Sequence, residues 1–496
     1  MNKSLSLRVV TVITVILAVP VARDWAASVE TNSAPRDILE VDSLGRVVQV
    51  PTNAVPARLN PPADIGVKKQ IPQPTRGSLM SDEVRLRLHE AQDGFQFFPA
   101  VPPELMSYLA SQDEFGNTAA RPGPLFSFDP FEPYVQGAKY RLSEYGLRYS
   151  LIQTVTYVNM TDVTKGDNTL GYYTLDFKAK WAIYTAPAEG TAGWISAQVD
   201  AKNGIDAAGD NQNPKSNVGT IASPTSIWSG VNGVRVPELA WQQSLVSGHV
   251  VVVAGMVNQK NYLDRNAYAQ SGRNGYLNSA LSHSLVLPMG SYKFGFNLQW
   301  QPEDEWYAML GGNMGQASAG DSPWTDLNSR NWSLISELGY APRDLLGLGP
   351  GIYRAQPFVA QAGESTGGGL CFDLQQKLGP HSPFGWFGRF GFGDSDVANS
   401  AAAGAATGFV MQGPFRHVLL QRTSNDLLGV GFVWSQPAAT TKTVYHENEY
   451  ILETLYAMQL TPTIKLQPDL QVVRDPAFNN KSDHALVFQL QLVMAW

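Results

Sequence analysis

From Leu147 onward apolar and polar residues alternate with a period of two, and the final segment carries the pattern most clearly. Leu486, Phe488, Leu490, Leu492, Met494 and Trp496 fall on one side, and Val487, Gln489, Gln491, Val493 and Ala495 fall on the other. The preceding segment repeats the design, with Ile464, Leu466, Pro468, Leu470 and Val472 opposed to Lys465, Gln467, Asp469 and Gln471. Tyr450, Leu452, Tyr456, Met458 and Leu460 likewise oppose Glu449, Glu453 and Gln459. Earlier in the chain Tyr173, Leu175, Phe177, Trp181 and Ile183 alternate with Thr174, Asp176, Lys178 and Lys180. Tyr292, Phe294, Phe296, Leu298 and Trp300 alternate in the same way with Lys293, Gly295, Asn297 and Gln299. A soluble sandwich also alternates, but it hides its apolar face and rarely ends so many strands on Tyr and Trp. Aromatic strand ends are the girdle of a membrane barrel.

Such segments begin near residues 147, 171, 192, 235, 249, 291, 305, 331, 351, 368, 385, 406, 426, 448, 463 and 485, which predicts about sixteen strands. Their connections alternate in length. Brief ones at 186–191, 247–248, 301–304 and 379–384 trade with long ones at 203–234, 259–291, 314–330 and 436–447. Short turns at one end and long loops at the other are outer-membrane topology. The cause is that hydrocarbon offers no backbone partners, so the ladder must close on itself. The expected fold class is therefore all-β, an antiparallel up-and-down barrel of about sixteen strands over residues 134–496.

At the N-terminus Lys3 and Arg8 precede an apolar run from Val9 to Val19, which reads as a signal peptide over residues 1–27. Cleavage is expected between Ala22 and Ser28. A retained anchor is the alternative, but the run is short for a spanning helix. Residues 28–133 are punctuated by prolines, among them Pro51, Pro61, Pro62, Pro102, Pro103, Pro122 and Pro124, which forbid long ladders. That stretch is expected to be a periplasmic or plug-like extension, dispensable for barrel closure. It has room for two short helices, one capped by Ser81 and one opened by Pro103.

Composition sharpens the picture. Charged residues make up 16% of the chain, aromatics 10%, and there are 45 Gly and 12 Trp, so the sequence is poor in charge and rich in rings. The net charge of -7 and the lack of a basic stripe argue against nucleic-acid binding. A single cysteine, Cys371, excludes an intramolecular disulfide in an exported chain and reads as a small wall residue.

No catalytic residue, metal site or cofactor is expected. Gly363, Glu364, Ser365, Thr366 and Gly367 fit G-x-S-x-G, but an alternating strand follows where a nucleophile elbow needs a helix, so a loop is the reading. The histidines, His89, His249, His283, His381, His417, His446 and His484, are scattered without metal-site spacing.

The stretch WQQSLVSGHVVVVAGMVNQKNYLDRNAYA from Trp241, continued by GYLNSALSHSLVLPMGSYKFGFNLQWQPEDEWY, resembles the carbohydrate-selective porins of the OprB type. GWFGRFGFGDSDV around Arg389, DLLGVGFVW at Asp426 and the closing YILETLYAMQLTPTIKLQPDLQVVRDP carry the same resemblance, which spans residues from about 128 to 496. It implies a water-filled sixteen-stranded barrel in a bacterial outer membrane that passes mono- and oligosaccharides. The terminal Trp, in place of the commoner Phe, and the long N-terminal extension depart from the family pattern.

Selection in such a pore comes from lumen width and from donors and acceptors on its lining. Inward parity gives Asp176, Lys178, Lys180, Lys293, Arg354, Arg389, Glu453, Lys465 and Asp469 as candidates, each with the plainer alternative of a solvated wall position. Arg389 and Glu453 lead, because vicinal hydroxyls bridge a guanidinium or a carboxylate. Trp194, on the face of Ser196, Gln198 and Asp200, is a candidate to stack on a sugar, with packing against a loop as the alternative. Trp496 is the expected assembly signal. Expected partners are small neutral sugars, outer-membrane lipid and the barrel-assembly machinery, with a monomer or homotrimer left open. A general or anion-preferring porin, or a plugged structural protein with a cell-wall-binding arm, are the competing functions.

Overall fold

The structure is a computed structural model that describes residues 38–41, 47–50, 129, 131–186, 191–205, 212–246, 249–269, 273, 275–303, 305–315, 330–379, 382–414, 426–439, 442–461 and 463–496. The expected signal peptide and the helices at Ser81 and Pro103 lie outside them. Two compact units result, residues 1–72 and 73–496. In the first, β1 (Ile38–Val41) and β2 (Val47–Val50) form an antiparallel hairpin. It falls in a window free of proline between Pro35 and Pro51, where a ladder is permitted.

The second unit is a closed antiparallel barrel of sixteen strands in sequence order. Its first half is β3 (Leu147–Met160), β4 (Thr169–Ala186), β5 (Thr191–Gly204), β6 (Gly233–Leu245), β7 (Val250–Val257), β8 (Lys293–Trp300), β9 (Trp306–Met314) and β10 (Trp332–Tyr340). The second half is β11 (Gly351–Ala362), β12 (Ser365–Lys377), β13 (Phe384–Gly393), β14 (Ala401–Gln412), β15 (Leu427–Pro437), β16 (Glu449–Gln459), β17 (Ile464–Arg474) and β18 (His484–Ala495). Every strand start expected from periodicity lies within five residues of an observed one. The largest miss is β14, where Ala401, Ala402, Ala403, Gly404 and Ala405 carry no apolar–polar contrast to read.

Burial follows the pleat. Along β18 every second residue from Ala485 to Ala495 is buried, while Leu486, Phe488 and Leu490 are exposed. The same outward face carries Phe390, Phe392, Phe409, Phe432, Leu452 and Leu470, an apolar belt fit for lipid. Trp181, Tyr184, Trp241, Trp300 and Trp306 form the aromatic girdle at the short-turn end. Gly363 adopts a φ of 65° at the two-residue turn between β11 and β12, and Ser365 opens a strand, so the G-x-S-x-G run is a hairpin.

Helix α1 (Glu132–Glu144) was not expected, because the barrel was assigned from residue 134. Its Lys139 sits 5.7 Å from the ring of Tyr149, an outward residue of β3 that stacks on Phe177. Just before it, Asp129 accepts hydrogen bonds from the Thr461 hydroxyl at 2.7 Å, the Thr463 N–H at 3.1 Å and the Phe131 N–H at 2.9 Å. Burial pushes this carboxyl up, but the hydrogen bonds from Thr463, Thr461 and Phe131 outweigh it and hold it below the usual range.

The seam closes through the last residue. The Trp496 N–H donates to the Leu151 carbonyl at 2.8 Å, and the Leu151 N–H returns to the Trp496 carbonyl at 3.1 Å. The indole meets Phe131 edge-on at 5.5 Å. Trp496→Ser is expected to cut the heat-resistant folded form in outer-membrane fractions severalfold, by loss of this outward ring. Unchanged folded yield would refute the role.

Candidate functional site

The described residues of two long connections fold into the lumen: 212–232 between β5 and β6, and 258–269, 273 and 275–292 between β7 and β8. A chain segment placed inside a barrel brings backbone N–H and C=O groups that need partners. The wall supplies them. Glu449 of β16 accepts from the N–H groups of Ile221 at 2.7 Å and Ala222 at 3.1 Å. Two residue pairs further along, Glu453 accepts from Leu277 at 2.6 Å and Asn278 at 3.0 Å. Gln471 and Gln489 donate to the Pro224 carbonyl at 2.8 and 2.7 Å, and Gln467 donates to the Gly275 carbonyl at 2.6 Å. On β16, β17 and β18 inward polar residues thus act as clamps for the inner loops.

The strongest clamp is an ionic one. Arg389 of β13 lies 3.1 Å from the carboxylate of Asp264 in the loop and 2.7 Å from that of Asp373 on β12. It also donates to the carbonyls of Ala269 at 3.0 Å, Leu281 at 2.5 Å and Asp264 at 3.2 Å. Arg354 of β11 continues the network, 2.6 Å from Asp373 and 3.2 Å from Glu337. Tyr307 donates to Glu337 at 2.7 Å, and Asn266 bridges to both oxygens of Asp373 at 3.1 Å. The NYLDRNAYA and GWFGRFGFGDSDV stretches, more than a hundred residues apart in sequence, meet here.

Behind the ions the loop carries its own apolar core. Leu263, Tyr268, Tyr276, Leu281 and Leu287 are buried, Leu263 beside Gly311 of β9, Tyr268 beside Gly385 of β13 and Tyr276 beside Gly429 of β15, with the Tyr276 hydroxyl donating to the Phe409 carbonyl at 2.9 Å. Glycines make the room: a Cβ at Gly431 would fall 2.8 Å from both Leu281 and Tyr276. The short helix α2 (Pro214–Val218) in the first loop and α3 (Ser279–Ser282) in the second begin at Asn213 and Asn278, whose side chains cap them.

With that side of the lumen filled, a cavity of about 460 Å³ remains between the loops and β4, β5 and β6. Its lining includes Asp176, Lys178, Gln198, Asp200, Lys202 and Arg235 from the wall. The loops add Lys215, Ser226, Trp228, Asn258, Lys260, Asn261, Arg265 and Arg273. Lys178 donates to Asn261 at 3.2 Å, Lys202 lies 3.4 Å from Asp200, and Arg273 is paired with Asp176. Trp228 stacks on Tyr172 with ring centres 5.2 Å apart.

The candidates therefore separate into two groups. Asp176 and Lys178 line the cavity. Arg389 and Glu453 are buried: Glu453 accepts from loop N–H groups, and Arg389 meets loop carbonyls, Asp264 of the loop and Asp373 of β12. Arg354 belongs to the same network, and Asp469 accepts from Gln471 at 2.9 Å. Lys180 and Lys465 point inward toward the short-turn end, with Lys465 buried. Trp194 is buried at that end of β5, beside Ala182 and Gln242, and is not part of the cavity lining. Strand parity could not reveal Lys215, Lys260, Arg265 and Arg273, because they stand on loops. The signal available was the recurrence of bases in the long connection 259–291, where the family-like motif lies.

Among solved structures, the chain is similar to the Pseudomonas putida OprB at high pH, with 14% identity and a TM-score of 0.61 over 76% of this chain and 99% of that one. The low-pH structure of the same protein gives 14% identity and a TM-score of 0.47, over 75% and 99%. A mutant of the Rh. blastica porin gives 9% identity and 0.44, over 71% and 100%. No curated protein matches the chain. The family model described as "Carbohydrate-selective porin, OprB family" matches residues 189–494, from the start of β5 almost to the end of β18, so the chain belongs to the OprB family of carbohydrate-selective porins.

Proposed function

We propose that carbohydrates cross this outer-membrane porin through the cavity beside β4, β5 and β6, and that Asp176, Lys178, Gln198 and Asn261 make the contacts that favour them. The carrying observation is the juxtaposition of charged and amide groups with an apolar patch of Ile227, Trp228 and Pro237 in one lumen cavity. Sugars present hydroxyls on their rim and C–H groups on their faces, so such a lining exchanges water for equivalent hydrogen bonds. Arg389 and Glu453 act one step removed, by fixing the loop that bounds the passage. Wall positions Lys180, Lys465 and Asp469 serve as solvated or clamped lining, and Trp194 as packing.

We further propose that residues 1–27 are a signal peptide cleaved on export and that the proline-rich residues 28–133 are a periplasmic or plug-like extension. Passage is passive and needs no covalent chemistry. In planar bilayers the purified protein is expected to give open channels whose current falls in graded fashion as glucose is added. A silent bilayer would favour a plugged structural protein, and open channels indifferent to sugar would favour a general porin.

A further inference from the structure

The chain as a whole is acidic, with a net charge of -7, yet among the described residues its lumen cavity is lined by seven Lys and Arg side chains and two carboxylates. Lys178, Lys202 and Arg235 come from the wall, Lys215 from the first inner loop, and Lys260, Arg265 and Arg273 from the second. Three separate segments thus converge on one volume with the same sign. The opposite excess lies behind the second loop, where Arg354 and Arg389 face Asp264, Glu337 and Asp373. The positive sign of the cavity is therefore local and not inherited from composition.

The two carboxylates in the lining, Asp176 and Asp200, sit against Arg273 and Lys202. Lys178 donates to the Asn261 amide oxygen at 3.2 Å and Arg235 to the Val231 carbonyl at 2.6 Å, both neutral oxygens. Crowding is visible in the loop groups. Burial, and then Lys202, holds the Lys260 ammonium below its ordinary range, and burial with Lys260, Arg389 and Arg265 around it pushes the His283 imidazole well down. An anion entering the cavity relieves that crowding. Narrow, poorly solvated walls make such a field act more strongly than the same charges would on an open surface.

Resting on the reading of this cavity as the sugar path, we propose that it prefers carbohydrates that carry a negative charge, a sugar carboxylate or a sugar phosphate, over neutral sugars. The bases bind the acidic group. The neighbouring amides, with the two carboxylates, take hydroxyls, so the cavity reads charge and ring together.

The test uses the full chain in planar bilayers, with glucuronate, glucose 6-phosphate, glucose and sulfate as blockers. At 0.1 M KCl the half-blocking concentration of at least one acidic sugar is expected about tenfold below that of glucose, and at 1 M KCl the gap should shrink to about twofold as the Debye length falls from about 10 to about 3 Å. Comparison of the two acidic sugars decides between carboxylate and phosphate. The Lys202→Gln, Lys260→Gln double variant should narrow the low-salt gap to about threefold; a full gap in a conducting variant would count against the assignment. Because that variant can misfold, the salt dependence in the unaltered chain stands as an independent readout. Equal block by glucose and both acidic sugars at low salt would overturn the preference while leaving the porin reading intact. Sulfate blocking as well as the acidic sugars would overturn the sugar-acid assignment in favour of a plain anion site. Absence of channels would sink the porin reading and this inference together.

Discussion

Arg389→Met should leave the barrel closed but release its inner loop, raising single-channel conductance severalfold and abolishing block by sugar. The guanidinium meets two carboxylates, Asp264 at 3.1 Å and Asp373 at 2.7 Å, and three loop carbonyls. Removing one member of a buried ion network costs about 3–5 kcal/mol, chiefly because the remaining charges are left uncompensated in a poorly solvated site. Here the loss falls on the loop through Asp264 and on β12 through Asp373, while the ladders of β13 with β12 and β14 are made by backbone groups. Heat-modifiable mobility in gels reports the barrel, and conductance with graded glucose reports the loop. Adding Asp264→Asn should recover part of the loss, because one orphaned carboxylate is then neutral, and the departure from additivity measures the pair. Conductance and sugar block both unchanged in Arg389→Met would remove the loop-anchoring role.

That experiment bears on how much of this molecule was legible in its sequence. Period-two alternation located the strands because hydrocarbon outside and water or loop inside impose opposite demands on successive residues. It placed Leu486 and Phe488 outward and Gln489 and Gln491 inward, as found. It lost precision at Ala401–Ala405, where both faces are small. It gave no warning of helix α1, which follows the proline-dense segment and presents only weak amphipathicity to a reader looking for strands.

The site was less legible, for a different reason. Parity establishes that Arg389 and Glu453 point into the barrel but says nothing about what already fills it. Their partners, Asp264 and the Leu277 and Asn278 N–H groups, lie on a loop whose path depends on its core of Leu263, Tyr276 and Leu281. Inward polar residues in such a barrel therefore divide between those that hold loops and those that face solute. Asp176 and Lys178 line the cavity because β4 borders the unfilled part of the lumen.

The outward face carries the second large effect. Leu490 lies near the middle of β18, is 37% exposed, and pairs in register with Pro468 on β17 and Tyr157 on β3. Leu490→Arg places a guanidinium in the apolar belt far from either rim, where a charge on the lipid face costs roughly 2–4 kcal/mol. Long stems reach toward the headgroups and recover some of this, so the lower half of that range is the firmer expectation. Urea unfolding of the protein refolded into lipid vesicles should show the transition shifted to lower urea, with less folded protein at the membrane. Leu490→Met, which keeps an apolar side chain of similar volume, should stay within about 1.5 kcal/mol of the parent. Equal stability of the Arg and Met variants would mean that this face does not meet hydrocarbon, and the orientation of the entire wall would have to be reversed.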